Sequence, residues 1–292
     1  MGRGNQPFAG ATPITHAAII PTLPGASVQP RAIGTALVKA KRRSGQSVIS
    51  DLHQSGAMKL LFPRTYSDAL QAVAINTAGG VTGGDDFCLN ACAEEGAFLT
   101  ITTQAAERAY RAQPGQVGKI RNRVTVRAKA RLNWLPQEMI LFDACAVDRR
   151  LSVDLEDEAS LLLVEPLVFG RAAMGERLTN LNFKDRIEVR RAGRPIYLDA
   201  IALTGDVAEH LAAPHIAAGA GALATILYIA PDAEARLAEL RTQLPSEAGA
   251  SLIGPDILLA RILAPDSFEL RRAMMPILHR LSAEALPRSW TT

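Results

Sequence analysis

Two glycine pairs and paired carboxylates stand close together in Ile75–Asp86 (INTAGGVTGGDD), between two strand-like apolar runs. Glycine adopts backbone angles barred to other residues and lets a second backbone or a ligand approach. Gly79, Gly80, Gly83 and Gly84 therefore point to a tight, specific crossing rather than an ordinary turn. Two nucleotide-binding chemistries fail on spacing. The dinucleotide fingerprint needs glycine at the first, third and sixth places, which these pairs do not provide. A phosphate loop ends in Gly-Lys-Ser/Thr, whereas this segment ends in Gly-Asp-Asp, whose charges repel phosphate. The plain reading of the segment alone is a glycine-rich strand connection with Asp85 capping the turn.

Asp85, Glu107, Glu138, Glu165 and Glu176 each stand at or beside a strand-like run, next to glycine, proline or aromatic residues. Carboxylates gathered in a β interior can act as general acids and bases, or as transient oxygen ligands for a divalent cation. By contrast Glu156-Asp157-Glu158 reads as an exposed turn. Cys88 and Cys92 share one face of either a strand or a helix, but a structural zinc site wants a second such pair, and none exists. The cysteines read as buried apolar side chains. His16, His53, His210, His215 and His279 are scattered without i, i+4 spacing, so no high-affinity metal site is predicted. There is no Gly-x-Ser-x-Gly elbow and no thiol-enzyme motif.

Thr102–Arg111 leaves a strand and offers Glu107, Arg108, Tyr110 and Arg111 within five residues. Tyrosine and arginine favour interfaces, and a charged edge or turn explains the segment equally well. Arg121, Arg123, Arg127, Lys129 and Arg131 recur at every second or fourth place. Such a basic strand face is either an RNA surface or an exposed edge kept from aggregating by charge.

These residues need a large scaffold. At 292 residues the chain can build a sizeable core, as one big domain or two moderate ones. Three cysteines, few and odd in number, suit a reducing cytoplasm. With 32 basic and 29 acidic residues there is no general field for nucleic acid or acidic lipid. Pro7, Pro13, Pro21, Pro24 and Pro30 bar a helix and predict a disordered lead over 1–31. Ala17–Ile20 is too short for a signal peptide. The longest apolar run, Ile216–Ala230, is diluted by glycine and short of the roughly 18 residues a membrane helix requires.

From 32 to 204 the texture is strand-like, with short branched or apolar runs broken by turn signals. Two hairpins stand out. One runs from Leu37–Lys41 through Ser44-Gly45 to Val48-Ile49. The other runs from Ile187–Val189 through Ala192-Gly193-Arg194 to Ile196–Leu198. Further strands are read at 71–75, 87–91, 98–103, 123–128, 139–147, 151–155 and 160–169. After Gly205 the order reads βαββα, with helices over 232–243, capped by Asp232, and 266–284, which tolerates or kinks at Pro276. The expected fold is mainly β: a large antiparallel scaffold over 32–204, with a small C-terminal α/β part, 205–292, carrying two helices and packed on it.

Four blocks, in order, resemble the urease accessory protein UreD family, called UreH in some species. They are Asn76–Asp86 (NTAGGVTGGDD), Thr102–Arg111 (TTQAAERAYR), Asn133–Asp143 (NWLPQEMILFD) and Glu165–Leu178 (EPLVFGRAAMGERL). Ile187–Leu198 and Pro287–Trp290 add weaker matches, and the resemblance spans about residues 31–292. It implies a nickel-insertion chaperone, not an enzyme. Such a chaperone binds a UreF-type accessory protein, through it a UreG-type GTPase that hydrolyses GTP, and docks on urease apoprotein. It also implies passage of nickel along a water-filled tunnel, with no tightly bound cofactor. Asp85, Glu138, Glu165 and Glu176 match acidic positions of the family and become tunnel candidates, and Thr102–Arg111 a partner-facing or tunnel-lining segment. Oxygen ligands release an ion more readily than a cysteine or histidine cage.

Two other classes compete. A β-rich glycoside hydrolase would use two of the same carboxylates, roughly 5 to 10 Å apart, as acid and nucleophile. An RNA-binding β protein would use the Arg121–Arg131 stripe, which lacks interleaved aromatics for base stacking.

Overall fold

Glycine and short polar turns cut the chain into many strands, and the direction of each connection decides the architecture. The computed structural model describes Met1 and residues 29–291. The disordered lead expected over 1–31 falls, up to residue 28, outside the described residues. The strands are β1 (Ile33–Arg43), β2 (Gln46–Gly56), β3 (Met58–Leu61), β4 (Leu70–Asn76), β5 (Asp86–Ala93), β6 (Phe98–Thr103), β7 (Glu107–Ala109), β8 (Gly118–Val126) and β9 (Arg131–Leu135). There follow β10 (Met139–Leu141), β11 (Ala146–Leu155), β12 (Ser160–Phe169), β13 (Leu181–Arg191), β14 (Arg194–Gly205), α1 (Val207–Ala212), β15 (Ala222–Ile229), α2 (Ala233–Gln243), β16 (Ala248–Gly254), β17 (Ile257–Ala264) and α3 (Ser267–Leu281).

The antiparallel scaffold expected from the turn signals is not what forms. The first sheet has the order β14-β13-β11-β8-β5-β1-β2, and the second β16-β17-β15-β12-β9-β6-β4-β3. The ladders joining β1, β5, β8, β11 and β13 are parallel, as are those joining β4, β6, β9 and β12. The physical reason lies in the turns. Each carries the chain from one sheet to the other instead of back along its neighbour, so β4, β5, β6, β8, β9, β11, β12 and β13 wind as a two-sheet β-solenoid. A parallel pair needs a crossover of a dozen or more residues, and here the intervening strand of the opposite sheet supplies it. Antiparallel pairing is confined to the ends. The two hairpins read from sequence, β1–β2 and β13–β14, close the first sheet.

The solenoid core lies between the sheets. In β5, Phe87, Leu89 and Ala91 point in, while Cys88 and Cys92 are half-exposed on the outer face, not buried as expected; Cys145 is buried. Burial and the charges of Asp143 and Glu176 push the Cys145 thiol up to about 12, which keeps it inert. β12 reads SLLLVEPLVF and is covered on both faces, hence nearly continuous in apolar character. Its outer face, with β15 and β17, packs under Met274, Ile277 and Leu278 of α3 and under Trp290 beyond it. Strands β15, β16 and β17 extend the second sheet antiparallel, and α2 and α3 pack on them, so they are not a small part beside an antiparallel scaffold. Asp266 caps α3 by accepting from the Glu269 N–H. Asp232 does not cap α2; its carboxylate takes Tyr228 and Arg236 instead. Among the described residues no helix is long and apolar enough to cross a membrane.

Candidate functional site

The glycine-rich loop and the segment after β6 are zipped together at one end of the solenoid. Val81 N–H donates to the Arg108 carbonyl and Tyr110 N–H to the Val81 carbonyl, both at 2.8 Å. A Cβ on Gly80 would stand 2.6 Å from the Arg108 carbonyl oxygen and would enter the Tyr110 ring, so only glycine fits there. Asp85 is buried, and Asp86 is exposed. Asp85 Oδ1 accepts from the Ala32 N–H and Oδ2 from the Thr82 N–H, each at 2.8 Å, while its carbonyl accepts from Lys119. Asp85 thus ties β1, the loop and β8 into one knot, with both oxygens committed to backbone.

Beside this knot a cavity enters the space between the sheets. Its outer part is lined by Asn76, Gly79, Gln104, Ala106 and Glu107, and its inner part by Thr103, Asn122, Trp134, Gln137, Arg149 and Glu165. Met58, Ala74, Thr103 and Glu107 border both. The inner part leaves about 80 Å³ for water centres. That is room for a few waters, each needing roughly 10–15 Å³. Glu107 stands at the junction and takes long hydrogen bonds from Asn76 Nδ2 at 3.3 and 3.4 Å. Burial raises its pKa, and the Asp85 charge adds to the rise.

At the inner end lies a charge cluster of which sequence reading named only Glu165. Arg149 forks onto Asp185, Nε to Oδ1 at 2.9 Å and NH2 to Oδ2 at 2.6 Å, and its NH1 meets Glu165 Oε2 at 2.6 Å. Trp134 Nε1 donates to Glu165 Oε1 at 2.7 Å. All three charged side chains are buried. Burial pushes the Glu165 carboxyl above its ordinary range against the pull of Arg149. Burial works against the Arg149 charge too, but Asp185 and Glu165 outweigh it and raise its pKa. A signal was present in the sequence. Val147, Leu151 and Val153 of β11 and Phe183, Ile187 and Val189 of β13 face the core, and Arg149 and Asp185 fall on those same inward places.

The model of the family described as UreD urease accessory protein matches residues 32–291. Similar proteins include the urease accessory protein UreD of Ruegeria pomeroyi, 56% identical over 84% of this chain and 95% of the relative. That of Roseobacter denitrificans is 54% identical over 90% and 96%, and that of Azorhizobium caulinodans 41% over 91% and 98%. The chain belongs to the UreD family.

Of the four acids singled out by the UreD resemblance only Glu165 lines the cavity; Asp85 is held in the knot beside it, and the other two lie elsewhere. Glu138 is buried but pairs with Arg271 of α3 at 3.3 Å, beneath the C-terminal residues. Its neighbour Gln137 lines the cavity instead, with Oε1 accepting from Arg271 and Nε2 lacking a partner among the described residues. Glu176 is a loop clamp: both oxygens engage Arg171, whose guanidinium stacks 4.1 Å from the Phe142 ring centroid. That hydrogen-bonded partner holds the Glu176 carboxyl below its usual range. Of the weaker candidates, Arg108 and Arg111 are exposed, and Tyr110 packs edge-on to Phe142. In this UreD-family fold β8 is an interior strand of its sheet, not an edge. Its stripe is partly spent, with Arg121 paired to Asp148 and Arg127 to Glu156. Among the described residues no cluster of three or more His, Cys, Asp or Glu is placed to hold a metal.

Proposed function

We propose that this chain is a cytoplasmic urease maturation chaperone that scaffolds a UreF-type protein, and through it a UreG-type GTPase, on urease apoprotein. In this reading nickel is cargo, passed through the cavity from its mouth at Asn76 and Glu107 toward Glu165. Family membership supports the accessory role. The observation that supports the conduit is a pair of adjoining, water-sized cavities inside a β-solenoid whose only lining carboxylates among the described residues are Glu107 and Glu165. Oxygen ligands in ones and twos bind a cation loosely, as transit demands. Asp85 and Glu176 serve the walls rather than the path, and Glu138 holds the C-terminal cover.

The hydrolase reading loses support, because Asp85, Glu138 and Glu176 are each tied to backbone or arginine partners and none of them joins Glu165 at the cavity. The test is the nickel content of urease co-expressed with the UreF- and UreG-type partners, with and without this chain. A large drop without it is expected. Equal nickel and activity would remove the chaperone reading.

A further inference from the structure

The buried cluster at the inner end of the cavity is built asymmetrically. Arg149 and Asp185 face each other in register on neighbouring strands of the first sheet, joined by two aligned hydrogen bonds. Glu165 comes from the second sheet, and its carboxylate is fixed in orientation by the indole of Trp134. Its Oε2 meets a single guanidinium nitrogen, NH1, at 2.6 Å, against the two-point fork onto Asp185. The fork to Asp185 is therefore the anchor, and the contact to Glu165 is the weaker link. Both ends of that weak link line the cavity.

We infer that Arg149 is a resident counter-cation at Glu165, which a divalent cation must displace to bind and which returns as the metal leaves; this rests on the conduit reading. The charge count explains why. Two buried carboxylates without arginine would neutralise a divalent cation and hold it tightly. With the guanidinium anchored on Asp185, a metal at Glu165 shares the cluster with a second cation, so binding is weak and exit is favoured. Arg149 also keeps Glu165 charge-compensated while the path is empty, as a buried carboxylate requires. Arg149 is thus a positioning residue, acting on metal through Glu165.

The test uses the chain in its complex with the UreF- and UreG-type partners, dialysed against Ni²⁺, so that metal bound by the partners cancels between variants. Arg149→Gln is expected to tighten nickel retention roughly 10- to 100-fold, the range in which neighbours of ligands tune affinity. Adding Glu165→Gln to it should abolish the gain, and Arg149→Lys, which keeps the charge, should bind as weakly as wild type. An assembled Arg149→Gln complex that binds no tighter overturns the inference. If Arg149→Gln fails to assemble, Asp185→Asn decides. Freed from its anchor, Arg149 should close on Glu165 and lower urease nickel in an intact complex; unchanged loading overturns the inference. Glu107→Gln tests the conduit separately, since unaltered loading there refutes the passage whatever Arg149 does.

Discussion

Replacing Asp85 by alanine separates a structural from a transit role for the most conspicuous acid in the chain. Its two carboxylate oxygens each accept a backbone N–H at 2.8 Å, from Ala32 and from Thr82. Hydrogen bonds to a charged group contribute about 1.5–3 kcal/mol each, and loss of both leaves two N–H groups unpartnered, so the variant should lose roughly 3–6 kcal/mol. For a protein of this size that lowers Tm by something on the order of 10 °C. Asp85→Asn keeps one acceptor and should lose about half as much. The assay is thermal and urea unfolding of the purified complex, with urease nickel measured in the same cells. An Asp85→Ala chain that unfolds like wild type while urease nickel collapses would refute this reasoning and return Asp85 to the path. The expected pattern is the reverse, with less folded chain and nickel loss in proportion to it.

Gly80→Ala drives a methyl into the Tyr110 ring and the Arg108 carbonyl. It should destabilise by about 1–3 kcal/mol in urea melts, with proteolysis localised to the loop. Trp290 is buried, donates Nε1 to the Leu135 carbonyl at 3.0 Å and lies under Arg271. Trp290→Ala should cost about 3–5 kcal/mol, read as a fall in the denaturation midpoint. Burial raises the Glu107 pKa above 4.5, so the folded chain keeps a proton that the unfolded chain releases. Wild-type stability is therefore lost as pH rises from 4.5 through the folded pKa. Glu107→Gln removes that loss, so its urea midpoint should match wild type in acid and exceed it at neutral pH. A constant gap at every pH would mean that Glu107 is not the titrating group.

Strand positions were legible in part, because inward and outward places alternate in most strands: β6 and β12 were bounded to the residue, while β9 was not read and 139–147 divides between β10 and the start of β11. Direction was not legible. A turn that reverses the chain beside its neighbour and one that lifts it to the opposite sheet use the same short polar residues, so Ala93–Phe98 and Val126–Arg131 looked like links in a meander. β12 carried the one clue, since a strand apolar on both faces fits a parallel ladder covered on both sides better than a half-solvated antiparallel one. The hairpins were readable because Ser44-Gly45 and Ala192-Gly193 supply positive φ at adjacent residues, which two-residue hairpin turns demand.

The site was half legible for a related reason. Motif resemblance selects acids that the family shares, and an acid is shared whether it meets cargo or ties a loop. Asp85 and Glu176 tie loops, accepting backbone N–H groups that only the folded chain brings near. Glu165 differs because it interrupts an apolar strand, where a charge is costly unless something nearby answers it. The answer was written in the same code: Arg149 and Asp185 interrupt the inward faces of β11 and β13. Three charges on three apolar faces must meet or remain unpaired, and a two-sheet solenoid is the arrangement that lets neighbouring strands of one sheet present two of them to the third across the core. In this fold the parallel pairing of β11 with β13 is what sets Arg149 opposite Asp185 and both across from Glu165. In an antiparallel meander β11 and β13 would be separated by β12 within one sheet, Glu165 would lie between Arg149 and Asp185 along a ladder, and the fork that anchors the guanidinium could not form.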